Sequence, residues 1–267
     1  MIALIAITLS SCGAKGDKIE TLTDLQGKVI GVISSGPSTQ SQIKMVSVLI
    51  GGEPSQIVSF NRGIDMAAAL KSGKIDGFPI QQFAMDYALN RNKDFKSIPI
   101  TDIFIEGQVI MAVRTEDMPL KILLDSAIVT LGENGKIAAL EQEWITNLPL
   151  DNDPTFTDIP KHEDAPTYYV GVVGDMPPLD YVAADGRPAG FNVALLTEIG
   201  NFLNINFEFV SLENQARFAA LASKKIDIIF CHFQSTGTDY FDELKNDNWL
   251  ATEPYFIYKG GSFIVKK

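Results

Sequence analysis

Residues 218–234 read FAALASKKIDIIFCHFQ, and a second copy of the pattern stands 151 residues earlier, as AAALKSGKIDGFPIQQ over residues 67–82. Leu70, Ser72, Lys74, Ile75 and Asp76 answer Leu221, Ser223, Lys225, Ile226 and Asp227. Each copy runs from the end of an amphipathic helix through a polar turn into an apolar strand, then into polar side chains of pocket size. A duplicated helix-to-strand unit predicts two similar α/β lobes. Ligands of open parallel sheets sit outside the carboxyl ends of the strands, so the site is expected where the two sets of strand ends face each other across a cleft.

Outward from the two copies, strand and helix patterns alternate. Residues 28–33, KVIGVI, are a β-branched run of buried-strand type. The turn SSGPSTQSQ over 34–42 offers Ser38 or Thr39 as the cap of a helix reaching residue 50. So many hydroxyls at a βα turn either cap the helix or help free backbone N–H groups hold an anion. Strands are expected near 56–60, 75–80 and 108–113, and helices over 64–71, 81–91, 119–131 and 136–145, the last pair broken at GENG. Residues 148–166 carry four prolines and an acidic, weakly apolar composition, which reads as a linker. Asp151, Asp153 and Asp158 lack the spacing of a calcium loop and read as a solvated acidic stretch. After the linker come a strand over 168–173, a loop over 175–181, helices over 190–203 and 215–223, strands over 206–210 and 226–230, a polar excursion over 236–251, and a last strand, GSFIVKK.

The chain of 267 residues is 46% apolar and 21% charged, enough for two domains with cores and too apolar for disorder as the main state. Its 22 Lys plus Arg against 33 Asp plus Glu give a net charge of −11, which argues against nucleic acid as a partner. Residues 2–9 are an apolar run followed by LSSCG, a pattern of a signal peptide (residues 1–11) ending at a lipoprotein processing site with Cys12 as the lipidated residue and 12–20 as a tether. The run falls short of the roughly 20 residues that span a bilayer. Cys231 is then the one remaining thiol, so no disulfide within the mature chain is expected. With no CxxC, no HxxxH and only His162 and His232, neither a metal nor a cofactor is expected.

Residues 169–203, YVGVVGDMPPLDYVAADGRPAGFNVALLTEIGNFL, resemble the opening of family 3 extracellular solute-binding proteins of ABC importers, with a strand, a PPF-like loop, a turn, and a GF element leading a helix. Residues 219–230 and 252–266 (TEPYFIYKGGSFIVK) fit the rest of that family's first lobe, and 23–39 resemble the segment opening its second. Residues 108–145 look like its C-terminus. The resemblance implies a two-lobed α/β fold of the periplasmic-binding-protein type 2 kind, each lobe a mixed, mostly parallel sheet flanked by helices. The order of segments differs from the family's and implies a circular permutant, in which 148–166 join the usual ends. The lobes are then expected at 21–106 and 107–267, with one crossing near 106–108 and the last strand beside 108–113. A piece of a tandem array that completes its lobes by swapping is the rival reading.

In that family's amino-acid binders, the resemblance implies, an Arg of the first lobe grips the ligand carboxylate, a Ser/Thr turn of the second assists it, and a second-lobe Asp holds the ammonium group. Here the middle feature stands as Ser38 and Thr39, while Gln81 occupies the expected Asp position and Asp239 the expected Arg position. Met176, Leu179 and Asn214 are the expected walls. Cys231, His232, Gln234, Thr236 and Asp239 are expected to project from the first lobe toward Ser38, Thr39 and Gln81. This set favours hydrogen bonding over ion pairing, hence a neutral or cationic polar ligand over a standard α-amino acid. For His232 a hydrogen-bonded strand-end role is the alternative to ligand contact.

The expected function is capture of a small polar, amino-acid-like metabolite for an ABC permease by a lipoprotein of the periplasm or cell surface, without catalysis. A sensor or accessory lipoprotein on the same scaffold is the first alternative. A dehydratase-like enzyme is the second, and it needs a positioned acid/base pair for which Asp239 and His232 are the candidates.

Overall fold

The computed structural model describes residues 18–34, 39–101, 103, 105–148, 159–183, 185–235 and 249–267. An N-terminal lobe is built from β1 (Val29–Ile33), α1 (Thr39–Ile50), β2 (Gln56–Phe60), α2 (Gly63–Ser72), β3 (Gly77–Gln81), α3 (Gln82–Arg91) and β4 (Phe95–Pro99). The chain then crosses over with β5 (Glu106–Arg114) and continues through α4 (Met118–Glu133), α5 (Lys136–Glu141) and β6 (Thr167–Val172). A small antiparallel sheet follows, made of β7 (Asp175–Met176), β8 (Asp180–Val182) and β9 (Pro188–Ala189). The C-terminal lobe is completed by α6 (Phe191–Leu203), β10 (Asn206–Ser211), α7 (Ala216–Ala222), β11 (Ile228–Ser235), β12 (Trp249–Ala251) and β13 (Phe256–Lys259), before the chain returns as β14 (Gly261–Lys266).

The two main sheets have the same plan. One runs β2-β1-β3-β14-β4 and the other β10-β6-β11-β5-β12, with β13 also paired to β5. In each, three parallel strands meet an antiparallel strand that has crossed from the other lobe, β14 in one and β5 in the other. This is a mixed α/β architecture of two lobes.

The sequence repeat is the device that locks the third strand of each sheet to the first. Asp76 donates its N–H to Val29 O (2.7 Å) and accepts Val29 N–H on Oδ2 (2.8 Å), and Asp227 does the same with Tyr169 (2.7 and 2.9 Å). Ile75 and Ile226 are buried over the first strands, where a Cβ on Gly31 or Gly171 would come within 2.7 or 2.5 Å of their Cδ1 atoms. Gly73, with φ 76°, ends α2 in the left-handed region, and Lys224 holds the matching place after α7 at φ 61°.

Expectation and structure part at the last strand. Residues 263–265 do not lie beside 108–113: Phe263 pairs with Pro79 of β3 and Ile98 of β4, so β14 belongs to the N-terminal lobe. The place along β5 is taken by β13, with Phe256 opposite Val109. Gly260, at φ 77°, lets the chain turn between these strands, and Phe263, Ile264 and Val265 are fully buried by their new neighbours. The lobes are therefore joined by two crossings, 105–106 and 259–261, instead of one. The linker's residues 149–158 lie outside the described residues. Among the described residues no helix is long and apolar enough to cross a membrane.

Candidate functional site

Two lobes with their strand ends opposed leave a cleft of about 740 Å³. Ile33, Gln42, Arg62 and Gln81 reach it from the N-terminal lobe, and Asp175, Met176, Leu179, Asn214, Arg217 and His232 from the other. The rim is held by polar contacts between lobes. Asp175 Oδ2 accepts the N–H of Gly63 at 2.8 Å, at the start of α2, and lies 3.7 Å from Arg62 Nε. Asn61 Nδ2 donates to Glu213 Oε2 at 3.2 Å, and Gln215 Nε2 donates to Ser34 Oγ. Burial pushes the Asp175 carboxyl up, opposed by the Gly63 N–H and by Arg62. On the hinge side, the Phe83 ring of α3 meets Phe233 (6.4 Å), Phe256 (5.3 Å) and Tyr258 (5.7 Å) between centroids.

The floor on the C-terminal side is a buried polar cluster built around a break in β11. The ladder with β5 slips between Ile229 and His232, and Cys231 sits there at φ 56°. Such a bulge leaves carbonyls without strand partners. Arg217 of α7 supplies the donors: Nη1 bonds Phe230 O at 2.5 Å and Cys231 O at 3.4 Å, while Nη2 bonds Asn214 Oδ1. Its Nε is buried without a partner. Asp180, 2% exposed, accepts the N–H groups of Val173 and Gly174 at 3.2 and 3.3 Å. Burial pushes its carboxyl up to about 6, against the pull of those N–H groups and of Arg217.

Of the acid/base candidates Asp239 and His232, only His232 lies among the described residues, beside Cys231. Burial pushes the Cys231 thiol up to about 12. His232 is driven down to about 4, first by burial and then by Arg217, and its ring lies edge-on to Phe218 (5.4 Å) and Trp249 (5.3 Å). Both are neutral at pH 7, a state suited to packing and hydrogen bonding rather than to proton transfer or nucleophilic attack. Among the described residues no group of three or more His, Cys, Asp or Glu is placed to hold a metal.

Of the residues expected at the site, Gln81, Met176, Leu179, Asn214 and His232 line the cleft. Cys231 faces the interior behind it, fully buried, and Gln234 sits in the hinge, where Gln108 Nε2 donates to its Oε1 at 3.0 Å. Thr39 is the first residue of α1; its side chain lies outside the described residues, as do Ser38, Thr236, Asp239 and Cys12. Arg62, Asp175 and Arg217 were not expected. Arg217 stands three residues after Asn214, one helical turn on, and that spacing was the available signal. The pairing of Arg62 with Asp175 joins residues of different lobes and has no signal along the chain.

Fold and cleft together define a two-lobed α/β protein with a cavity between its lobes. Residues 168–267 match the sequence profile of bacterial extracellular solute-binding proteins, family 3, and the resemblance to that family holds over them. Residues 2–119 match the NMT1/THI5-like profile. Among solved structures, the chain is similar to a ligand-binding component of an ABC-type import system from Staphylococcus aureus with zinc bound (13% identity, 90% of this chain and 66% of that one, TM-score 0.44). It is also similar to the alkanesulfonate-binding protein SsuA from Xanthomonas axonopodis pv. citri bound to MOPS (11%, 90% and 65%, TM-score 0.44) and to an ancestral arginine-binding protein bound to arginine (14%, 91% and 86%, TM-score 0.43). The chain spans about two thirds of the first two of these structures. No curated protein matches it in sequence.

Proposed function

We propose that the protein captures a small polar metabolite in the cleft between its lobes and presents it to an ABC permease. One observation carries this reading: polar side chains from both lobes, Gln42 and Gln81 on one side, Asn214 and His232 on the other, converge on one cavity. The family 3 match of residues 168–267 supports it. Closure of two lobes around a ligand is the motion such an architecture permits.

The anchor in this reading is a lipid on Cys12, which holds the protein at the outer face of the cytoplasmic membrane or in a periplasm. The unusual order of segments is read as a circular permutation. In support, residues 18–20 and 265–267 lie beside the same strand: Lys96 Nζ is 2.8 Å from Glu20 Oε2, Val265 pairs with Lys96, and Lys267 N–H donates to Asp94 O at 2.9 Å.

A thermal-shift screen of the purified soluble domain against polar metabolites tests the binding reading. At least one compound is expected to raise the melting temperature in a concentration-dependent way. No shift across a broad panel would overturn it. Detergent-phase partitioning of the full chain, lost in Cys12→Ser, tests the anchor; partitioning unchanged by that substitution would overturn it.

A further inference from the structure

The cleft has a limb that its polar mouth does not need. Helix α3 turns one face toward it, Phe83, Ala84, Tyr87, Ala88 and Arg91, at the spacing of neighbours along a helix. Helix α2 contributes Ile64, Ala67 and Lys71 from the opposite side, and Phe78 and Ile80 of β3 lie between. No residue of α3 is fully buried, although it carries Phe83, Met85, Tyr87 and Leu89. Phe83 and Tyr87 reach the core of the C-terminal lobe and Met85 and Leu89 that of their own, and between them the short side chains of Ala67, Ala84 and Ala88 border open space. A volume of about 740 Å³ is that of a site for a ligand well above the size of one amino acid.

Charge gives a second, independent indication. In a chain of net charge −11, the ionic side chains on this cavity are Arg62, Lys71, Arg91 and Arg217 against the single carboxylate of Asp175, among the described residues. A basic pocket in an acidic protein draws anions and turns cations away. Arg217, which lines the cavity, also keeps a buried Nε without an acceptor. This lining points away from the neutral or cationic ligand expected from the sequence.

We propose that the solute is an amphipathic organic anion whose apolar body, an alkyl chain or single aromatic ring, lies between α2 and α3 while its charged group meets Arg62 and Arg217. The inference rests on the binding reading of the same cleft and narrows it to a ligand class. Lys71 and Arg91 lie at the far end of the limb, where Arg91 also stacks on Tyr87 at 5.0 Å, and they steer the anion inward.

Calorimetric titration of the full chain with octanoate, octanamide and L-glutamine tests it. Octanoate is expected to bind, and octanamide to bind roughly tenfold more weakly, because a charge-assisted contact is lost. Ala84→Leu, which fills the limb, is expected to weaken octanoate at least tenfold with the circular dichroism spectrum unchanged. Should that variant fold poorly, Arg62→Gln, at a half-exposed side chain, is expected to weaken octanoate and leave octanamide as it was. Equal affinity for octanoate and octanamide, or octanoate binding indifferent to both variants, would overturn the proposal. If a polar compound such as glutamine binds while octanoate does not, this inference fails and the binding reading stands. If neither these nor a wider metabolite panel binds, both fail.

Discussion

Asp175 of the C-terminal lobe accepts the N–H of Gly63 at 2.8 Å, so a carboxylate from one lobe caps the first turn of a helix in the other. Arg62 stands 3.7 Å from the same oxygen. With the bonds from Asn61 to Glu213 and from Gln215 to Ser34, this contact holds the clamshell shut at its rim. Asp175→Ala removes the acceptor and the charge together. Small-angle scattering is expected to show a larger radius of gyration for the variant, and an unchanged radius would remove Asp175 as a latch.

The two copies of the repeat differ at one informative place. Gly73 and Lys224 both end a helix in the left-handed region, where a side chain other than glycine's is strained by about 1 kcal/mol. Lys224→Gly is therefore expected to stabilise the protein by about 0.5–1 kcal/mol, the exposed contact to Glu116 at 3.5 Å contributing little. Gly73→Lys is expected to destabilise by a similar amount. Urea denaturation midpoints decide the matter, and the reverse signs would refute it.

Arg217 satisfies carbonyls that the bulge in β11 leaves without strand partners. Arg217→Met strands Phe230 O and Asn214 in the interior and is expected to cost about 2–4 kcal/mol of stability. Arg217→Lys keeps the charge but loses the planar fork, and is expected to recover less than half of that. Chemical denaturation measures both; a lysine variant as stable as the parent would mean charge alone suffices.

His232 and Asp180 set opposing pH dependences. The histidine falls from 6.5 to about 4 on folding, so its contribution is present above pH 6.5 and is lost as pH falls toward 4. The aspartate rises from 3.8 to about 6, so its contribution is present below pH 3.8 and is lost as pH rises through 6. Between pH 4 and 6 the slopes oppose each other. Melting temperatures over that range are expected to rise more steeply with pH in Asp180→Asn than in the parent, and less steeply in His232→Gln. Parallel curves for all three would count against both shifts.

Much of the fold was legible along the chain because its signal is local. The KID repeat and the β-branched runs each lie within a few residues, and the two sheets are built on them. The last strand was misplaced because GSFIVKK says only that it is a buried strand, not in which sheet. The repeat did not settle it, because β5 and β14, the two strands that cross between lobes, lie outside both of its copies. Gln81, Met176, Leu179, Asn214 and His232, which line the cavity, follow strand ends or the PPF-like loop and so carry a local signal, whereas Asp175 meets Gly63 only after both lobes have folded and closed.

Native mass spectrometry of the protein purified from its own host tests the central claim, a solute-binding cleft between two lobes, most directly. A single chain carrying one small organic molecule that is released on unfolding is expected. A folded chain that carries nothing, and takes up nothing from a metabolite extract, would contradict it.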